Sequence, residues 1–154
     1  MDCDVDPLSL KSWGLPAGVV AAYAAQQVRS LYAWQARCLT QPGVLQGGNL
    51  VFTAPTSSGK TLVAELLVLK RVLESPSLET RRKAMVVVPY VALAREKRDA
   101  LQEVWCPCGL RVGGFMSGEC PTGGFAGVDV AVCTLEAANG LINRLVEEDA
   151  VASL

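Results

Sequence analysis

The sequence contains no histidine at all. Structural zinc sites are usually built from closely spaced cysteine pairs or from cysteine combined with histidine. Of the six cysteines, at positions 3, 38, 106, 108, 120 and 133, only Cys106 and Cys108 stand close together, with Pro107 alone between them. The cysteines are therefore read as free thiols of a reducing compartment. A disulfide framework is not required, because a chain of this size builds an ordinary core without staples. Long apolar runs are lacking too, and nothing approaches the ~20 residues of a membrane span. Residues 18–25 imitate a signal-peptide core, but Asp2, Asp4 and Asp6 precede them where a basic segment would stand. The expectation is a short helix in a soluble, intracellular chain with no membrane contact.

An excess of one charge is also missing. Fourteen Lys and Arg face fifteen Asp and Glu, for a net charge of −1 and a pI near 5.5. The footprint of a strongly basic nucleic-acid binder is thus absent, although a local basic groove fits inside a neutral chain. What is present is apolar mass: 51% hydrophobic and 19% charged residues over 154 positions. That composition excludes general disorder and matches one domain.

Along the chain, Pro16 suits the first turn of a helix running to about residue 28, and a second helix is expected over 31–39, stopped by Pro42-Gly43. Residues 49–53, Asn-Leu-Val-Phe-Thr, follow two glycines and predict a buried strand. Residues 61–74 carry Leu62, Val63, Leu66, Leu67, Leu69, Val72 and Leu73, an apolar face at helical spacing. Ser75-Pro76-Ser77 ends that helix, and residues 79–83, with the basic triplet Arg81-Arg82-Lys83, read as a solvated loop. The run 84–88, closed by Pro89, has the continuous apolar pattern of a parallel strand covered on both faces. A helix over 91–104, a weaker strand over 110–115, a Gly/Pro-rich loop over 117–127, a strand over 128–133 and a helix over 135–148 complete the pattern. Alternating strands and helices mean an α/β fold with a parallel sheet, whose ligands bind at the carboxyl ends of the strands.

One stretch carries chemistry on its own. Ala54-Pro55-Thr56-Ser57-Ser58-Gly59-Lys60-Thr61 lies between an expected strand and an expected helix, the context a phosphate-binding loop requires. Backbone N–H groups of residues 57–61 converge on phosphate oxygens in such a loop, and the positive end of the helix dipole adds to the attraction. Gly59 permits close approach, Lys60 reaches the β- and γ-phosphates, and the Thr61 hydroxyl ligates Mg²⁺. Lys60 and Thr61 are the candidate catalytic residues, and Thr61 is the candidate metal ligand. Ala54 stands where the motif's first glycine belongs. It ends the expected strand, where a small residue suffices.

Leu31-Tyr32-Ala33-Trp34-Gln35, the loop at 54–61, Val86 through Lys97 (VVVPYVALAREK) and Ala131 through Leu145 (AVCTLEAANGLINRL) together resemble the first motor domain of superfamily 2, Ski2-like helicases. The nearest branch is the one holding the helicase-like domain of DNA polymerase theta, with the HELQ-type repair helicases next. The similarity runs over residues 13–149. The resemblance implies a three-layer RecA-like P-loop NTPase fold, incomplete at its C-terminus, over 31–154, with residues 1–30 as a helical lead-in. It implies ATP and Mg²⁺ as cofactors and single-stranded or partly duplex DNA as partner. It also implies the remainder of a helicase, possibly polymerase, chain, a nuclear location and a role in double-strand-break repair.

Residue by residue, the resemblance makes Gln35 the glutamine whose amide reads the adenine edge; read alone, it is a surface residue at a helix end. Pro89, Tyr90 and Val91 resemble a first contact with the nucleic-acid backbone, against ordinary strand-to-helix packing. Thr134, Leu135 and Glu136 resemble a second, and Thr134 equally suits a plain N-cap. Tyr32 and Trp34 are read as packing under the nucleotide loop rather than as base stackers. Motors of this class also carry an Asp-Glu-x-His motif, yet no Asp-Glu pair occurs in the sequence. The 154 residues are accordingly expected to bind nucleotide with negligible ATPase or unwinding activity. The function classes are a helicase or translocase motor, a non-catalytic nucleotide- and nucleic-acid-binding fragment, and a small P-loop kinase. The last is disfavoured by the motif order and by the lack of a lid-like Arg cluster.

Overall fold

Residues 6–74 and 82–151 are described by the computed structural model, and the chain divides into two compact units, Met1–Glu74 and Ser75–Leu154. The expected helix stop at 75–77 and most of the expected loop at 79–83 lie outside the described residues.

In the first unit a 3₁₀ turn, Leu10–Trp13, leads to helix α1, Ala17–Ala25, which begins behind Pro16 as expected but ends three residues short of 28. Gln27 adopts the left-handed conformation at φ 64°. Its N–H donates to the Ala24 carbonyl at 3.0 Å, and the Val28 N–H donates to the Tyr23 carbonyl at 2.9 Å. These are the two bonds of a Schellman stop, a position normally filled by glycine. Helix α2, Ala33–Leu39, starts two residues later than expected because Tyr32 is its extended N-cap residue. Helix α3, Lys60–Leu73, buries Val63, Leu66, Leu69 and Val72, one residue per turn on one face. They join Leu10, Val19, Tyr23 and Leu39 in the core of this unit. Each such side chain contributes about 1.5–3 kcal/mol relative to an exposed position. Lys70 of α3 donates to the Trp13 carbonyl at 3.1 Å and so ties the helix to the N-terminal turn.

The buried strand expected at 49–53 is not there. The segment pairs with no strand among the described residues, and Val51 is 94% exposed. A strand persists only where a neighbour meets its rows of N–H and C=O groups; apolar composition alone does not supply that neighbour. The segment instead runs along an open groove of about 620 Å³, shared with Trp34, Arg37, Cys38 and Gln41.

The second unit holds a three-stranded parallel sheet of β1, Ala84–Val88, β2, Val112–Phe115, and β3, Val130–Thr134, in the order β1-β3-β2. Helix α4, Val91–Trp105, follows β1, and helix α5, Leu135–Glu147, follows β3. All five residues of β3 are buried, because it is the central strand between β1 and β2, whereas the edge strand β1 is only partly buried and leaves Val87 exposed. Ala131 and Cys133 point into a core with Phe115, Ala138, Leu141 and Leu145 on the α5 side. On the other face Arg98 of α4 lies against Gly114. Gln102 fixes α4 to the start of β2: its Oε1 accepts the Val112 N–H at 2.7 Å and its Nε2 donates to the Leu110 carbonyl at 3.2 Å. Pairing of Val88 with Thr134 and of Phe115 with Cys133 puts the carboxyl ends of all three strands in one row.

The basic triplet departs from its solvated reading at Lys83. Its ammonium donates to the carbonyls of Ala126 and Val128 and lies 5.5 Å from the Phe125 ring centroid. Burial lowers its pKa from the usual lysine range, partly opposed by Asp129. Lys83 thus braces the loop before β3.

Candidate functional site

The loop at 54–61 closes on its own lysine. Lys60 Nζ donates to the carbonyls of Ala54 at 2.8 Å and Pro55 at 2.6 Å. Ser58 Oγ donates to the same Pro55 carbonyl at 2.7 Å. Ser57 and Gly59 take positive φ of 59° and 81° with Ser58 between them. Alternation of this kind turns successive N–H groups toward one concavity and makes an anion cradle. Gly59 is the N-cap of α3 and no side chain caps the helix, so the positive end of its dipole stays open to a ligand. Ala54 is not among the residues with positive φ, and what the loop takes from it is its carbonyl. The methyl group at this position is therefore accommodated without strain.

Gln35 is 1% exposed, so it is not the surface residue that its position at a helix end suggests. Its Oε1 accepts the Tyr32 N–H at 2.8 Å, closing the start of α2, and its Nε2 donates to the Gly59 carbonyl at 2.8 Å. The amide thus joins the start of α2 to the apex of the phosphate loop. An ideal Cβ on Gly59 would lie 2.7 Å from that same Nε2 and 4.0 Å from Tyr32 Cε2, so the glycine is required by both its φ and the space. Trp34 packs on Phe52 at 6.1 Å between ring centroids, as a packing residue should. Tyr32 departs from its packing reading: it is 64% exposed, with its ring edge beside Gly59.

These residues offer what a nucleoside triphosphate needs: a cationic side chain inside the loop, an uncapped helix start and an exposed aromatic face. Thr61, second residue of α3, is exposed and free to turn its hydroxyl to a metal ion carried by the phosphates. Among the described residues no group of three or more Asp, Glu or Cys is placed to hold a metal without such a ligand.

In the second unit the other predicted site residues gather along the carboxyl row of the sheet. Pro89, Tyr90 and Val91 join β1 to α4; Tyr90 is the N-cap residue of α4, no side chain caps that helix, and its ring is 71% exposed. Thr134 is buried and caps α5, its Oγ1 accepting the Ala137 N–H at 3.4 Å. Leu135 and Glu136 follow on the exposed start of α5. The same unit holds an ion cluster that no spacing in the sequence signals. Glu119 accepts from Arg95 Nε at 2.6 Å and from Arg98 NH1 at 2.8 Å. The hydrogen bond from Arg95 holds the Glu119 carboxyl below its ordinary pKa, with Arg98 adding to the effect.

Residues 33–151 match the family model of DEAD/DEAH box helicases. The chain is 52% identical to mouse DNA polymerase theta over 96% of its own length, which is 6% of that relative. It is 33% identical to the human helicase POLQ-like over 92% of this chain and 13% of the relative. Against the ATP-dependent DNA helicase Hel308 of Thermococcus kodakarensis the identity is 38%, over 76% of this chain and 10% of the relative. The chain therefore spans a small part of each curated relative. Among solved structures, S. cerevisiae Dbp5 bound to RNA and ADP BeF3 superposes with a TM-score of 0.70 at 20% identity, covering 88% of this chain and 34% of that one. A hypothetical ATP-dependent RNA helicase from Sulfolobus tokodaii gives 0.62 at 22% identity, over 84% and 37%. At these identities the structural likeness establishes the RecA-like α/β fold.

Proposed function

The chain belongs to the DEAD/DEAH box helicase family, and from that premise we propose that it is the ATP-binding part of an ATP-dependent DNA helicase or translocase of the DNA polymerase theta type, acting in the nucleus in double-strand-break repair. The observation that carries the ATP reading is the self-closed loop: Lys60 on the Ala54 and Pro55 carbonyls, beneath an uncapped α3. A triphosphate replaces those neutral carbonyl acceptors with anionic oxygens, so that both partners of each Lys60 contact carry charge. Mg²⁺ enters with the nucleotide and takes the Thr61 hydroxyl. Ser57, Ser58, Gly59, Lys60 and Thr61 turn backbone N–H groups toward the phosphates, and Ala54, Pro55 and Thr56 complete the loop that holds them. Gln35 has one N–H left to offer an adenine edge, and Tyr32 supplies a flat apolar face for the base.

The DNA reading is supported by the printed names of the relatives and by the row of features at the sheet's carboxyl edge. The open start of α4 at Pro89, Tyr90 and Val91 suits a phosphate, and Leu135 and Glu136 lie on the neighbouring helix start. The absence of any Asp-Glu pair from the 154 residues favours a second reading for this polypeptide taken alone, nucleotide and nucleic-acid binding without turnover. Phosphoryl transfer needs a group that positions the attacking water, the task an Asp-Glu pair would serve.

The test is thermal unfolding of the 154-residue chain with increasing Mg·ATP. Stabilisation should grow as RT ln(1 + [L]/Kd) and vanish in Lys60→Ala, whose melting temperature without nucleotide stays near that of the parent. No stabilisation at any nucleotide concentration, or equal stabilisation of Lys60→Ala, refutes the site. Measured hydrolysis that Lys60→Ala abolishes would overturn the reading without turnover.

A further inference from the structure

Arg95 and Arg98 lie one turn apart on the same face of α4, so their side chains are neighbours. A single carboxylate occupies both: Glu119 Oε1 meets Arg95 Nε at 2.6 Å and Oε2 meets Arg98 NH1 at 2.8 Å. Glu119 is presented by a tight turn directly after β2. The Glu119 N–H donates to the Met116 carbonyl at 2.9 Å and the Met116 N–H donates back at 3.2 Å, with Gly118 at φ 79° in the two-residue bend. Gly114 lets Arg98 lie across the strand, since a Cβ there would sit 3.1 Å from Arg98 Cδ and 2.6 Å from Met116 Cε. An open cavity of about 440 Å³ borders this cluster, lined by Arg98, Gly114, Gly118, Glu119 and Cys120.

We propose that Arg95 and Arg98 form a phosphodiester-binding site for single-stranded nucleic acid, which Glu119 occupies in the free protein as an internal stand-in for the phosphate. The proposal rests on the nucleic-acid reading above and adds to it a site and a control. Three observations favour it over a purely structural staple. The contacts are half-exposed, with side-chain exposures of 50% for Arg95, 30% for Arg98 and 31% for Glu119. Ion pairs so open to water contribute little to stability and exchange readily. The geometry is also transferable, because two guanidinium groups that each donate to one oxygen of a carboxylate can donate in the same way to two oxygens of a phosphate. The position is the third. Phe115 ends beside Cys133, and Val88 ends beside Thr134, so the turn bearing Glu119 continues the carboxyl row on which the open start of α4 lies. A strand laid along that row would meet the α4 start and then the two arginines. In the free protein Glu119 and Asp99 offset their charge, which explains why neither net charge nor sequence pattern betrays a basic groove.

Equilibrium binding of a fluorescein-labelled oligothymidylate to the 154-residue chain tests this, read as anisotropy from low to physiological salt. Glu119→Gln should tighten binding roughly threefold to tenfold, beyond the effect of Glu103→Gln, which removes the same charge from the far end of α4. The Arg95→Gln/Arg98→Gln double variant should weaken binding and flatten the slope of log K against log salt by about 1.4, two contacts at ~0.7 each on a single strand. Circular dichroism melts confirm that each variant is folded. If the parent chain binds but Glu119→Gln matches Glu103→Gln, or the double variant keeps the parent's slope, the stand-in is refuted and the nucleic-acid reading stands. If neither the parent nor Glu119→Gln binds, both fall.

Discussion

Gln35 Nε2 donates to the carbonyl of Gly59 across twenty-four residues of sequence, and the same amide's oxygen holds the N–H of Tyr32. One side chain therefore fixes both the start of a helix and the apex of the phosphate loop. Gln35→Ala removes both bonds, whose backbone partners on Tyr32 and Gly59 are only partly buried. A loss of about 0.5–1.5 kcal/mol per hydrogen bond is expected, measurable as a lower urea midpoint. Nucleotide affinity should fall with it, because the left-handed Gly59 loses its tether to Gln35.

Gly59→Ala attacks the same junction from the other side. The φ of 81° costs a non-glycine residue about 1–2 kcal/mol, and the new methyl group meets Gln35 Nε2 at 2.7 Å. The variant should melt lower and lose Mg·ATP stabilisation. If it melts and binds like the parent, the loop does not hold the conformation described.

Two helix stops should improve on replacement. Gln27 ends α1 at φ 64°, and Asp149 ends α5 at φ 53°. The Asp149 N–H bonds to the Val146 carbonyl at 3.2 Å and the Ala150 N–H to the Leu145 carbonyl at 2.8 Å. Gln27→Gly and Asp149→Gly relieve the left-handed strain at the cost of glycine's greater chain entropy, for a net gain of about 0.5–1 kcal/mol each. Denaturant midpoints should rise for both variants.

These stops show what was legible in the sequence and what was not. Apolar patterning located β1, α4, β3 and α5 to within a residue or two, because parallel strands between helices read as continuous apolar runs and the helices that cover them as apolar stripes at helical spacing. It failed at 49–53, where composition named a strand but could not name a partner for its backbone. It overran α1, because the usual glycine signal for a left-handed stop is absent when glutamine takes that conformation. In the candidate site the phosphate loop was visible because its residues are contiguous. The bond from Gln35 to Gly59 and the bridge from Glu119 to Arg95 and Arg98 join distant positions, and spacing alone carries no trace of them. Tyr32 was misplaced for a related reason: an aromatic residue beside a loop reads as core until its exposure is seen.

Acid should open the Glu119 bridge. Its folded-state pKa lies below the unfolded value of about 4.3. The bridge is thus fully formed above that unfolded value, and its contribution is lost as pH falls through the lower folded value. Urea midpoints of the parent chain should decline more steeply below about pH 4.5 than those of Glu119→Gln. Parallel curves would show that the bridge is not formed in solution.

Cys133 behaves oppositely at alkaline pH. Burial in the α5 core pushes its thiol up to about 11. The folded state keeps a proton that the unfolded chain releases near 8.5, so stability falls as pH rises from about 8.5 toward 11. Because the thiolate is the reactive form, a thiol reagent at mildly alkaline pH should label the exposed Cys106 and Cys120 and spare Cys133. Labelling of Cys133 in the folded chain at the rate of Cys120 would contradict its burial.

The strand order has a consequence for synthesis on the ribosome. Among the described residues β1 and β2 do not pair with each other; each pairs with β3, which follows both in the sequence. When Val88 has been added, 46 residues remain before Thr134 completes the strand that both require. At about 5–20 residues per second that is a wait of roughly 2–9 seconds for a nascent Val-rich strand with both edges bare. Over that interval the growing chain depends on α4, and on whatever meets it at the tunnel exit, to keep β1 from pairing with a stranger.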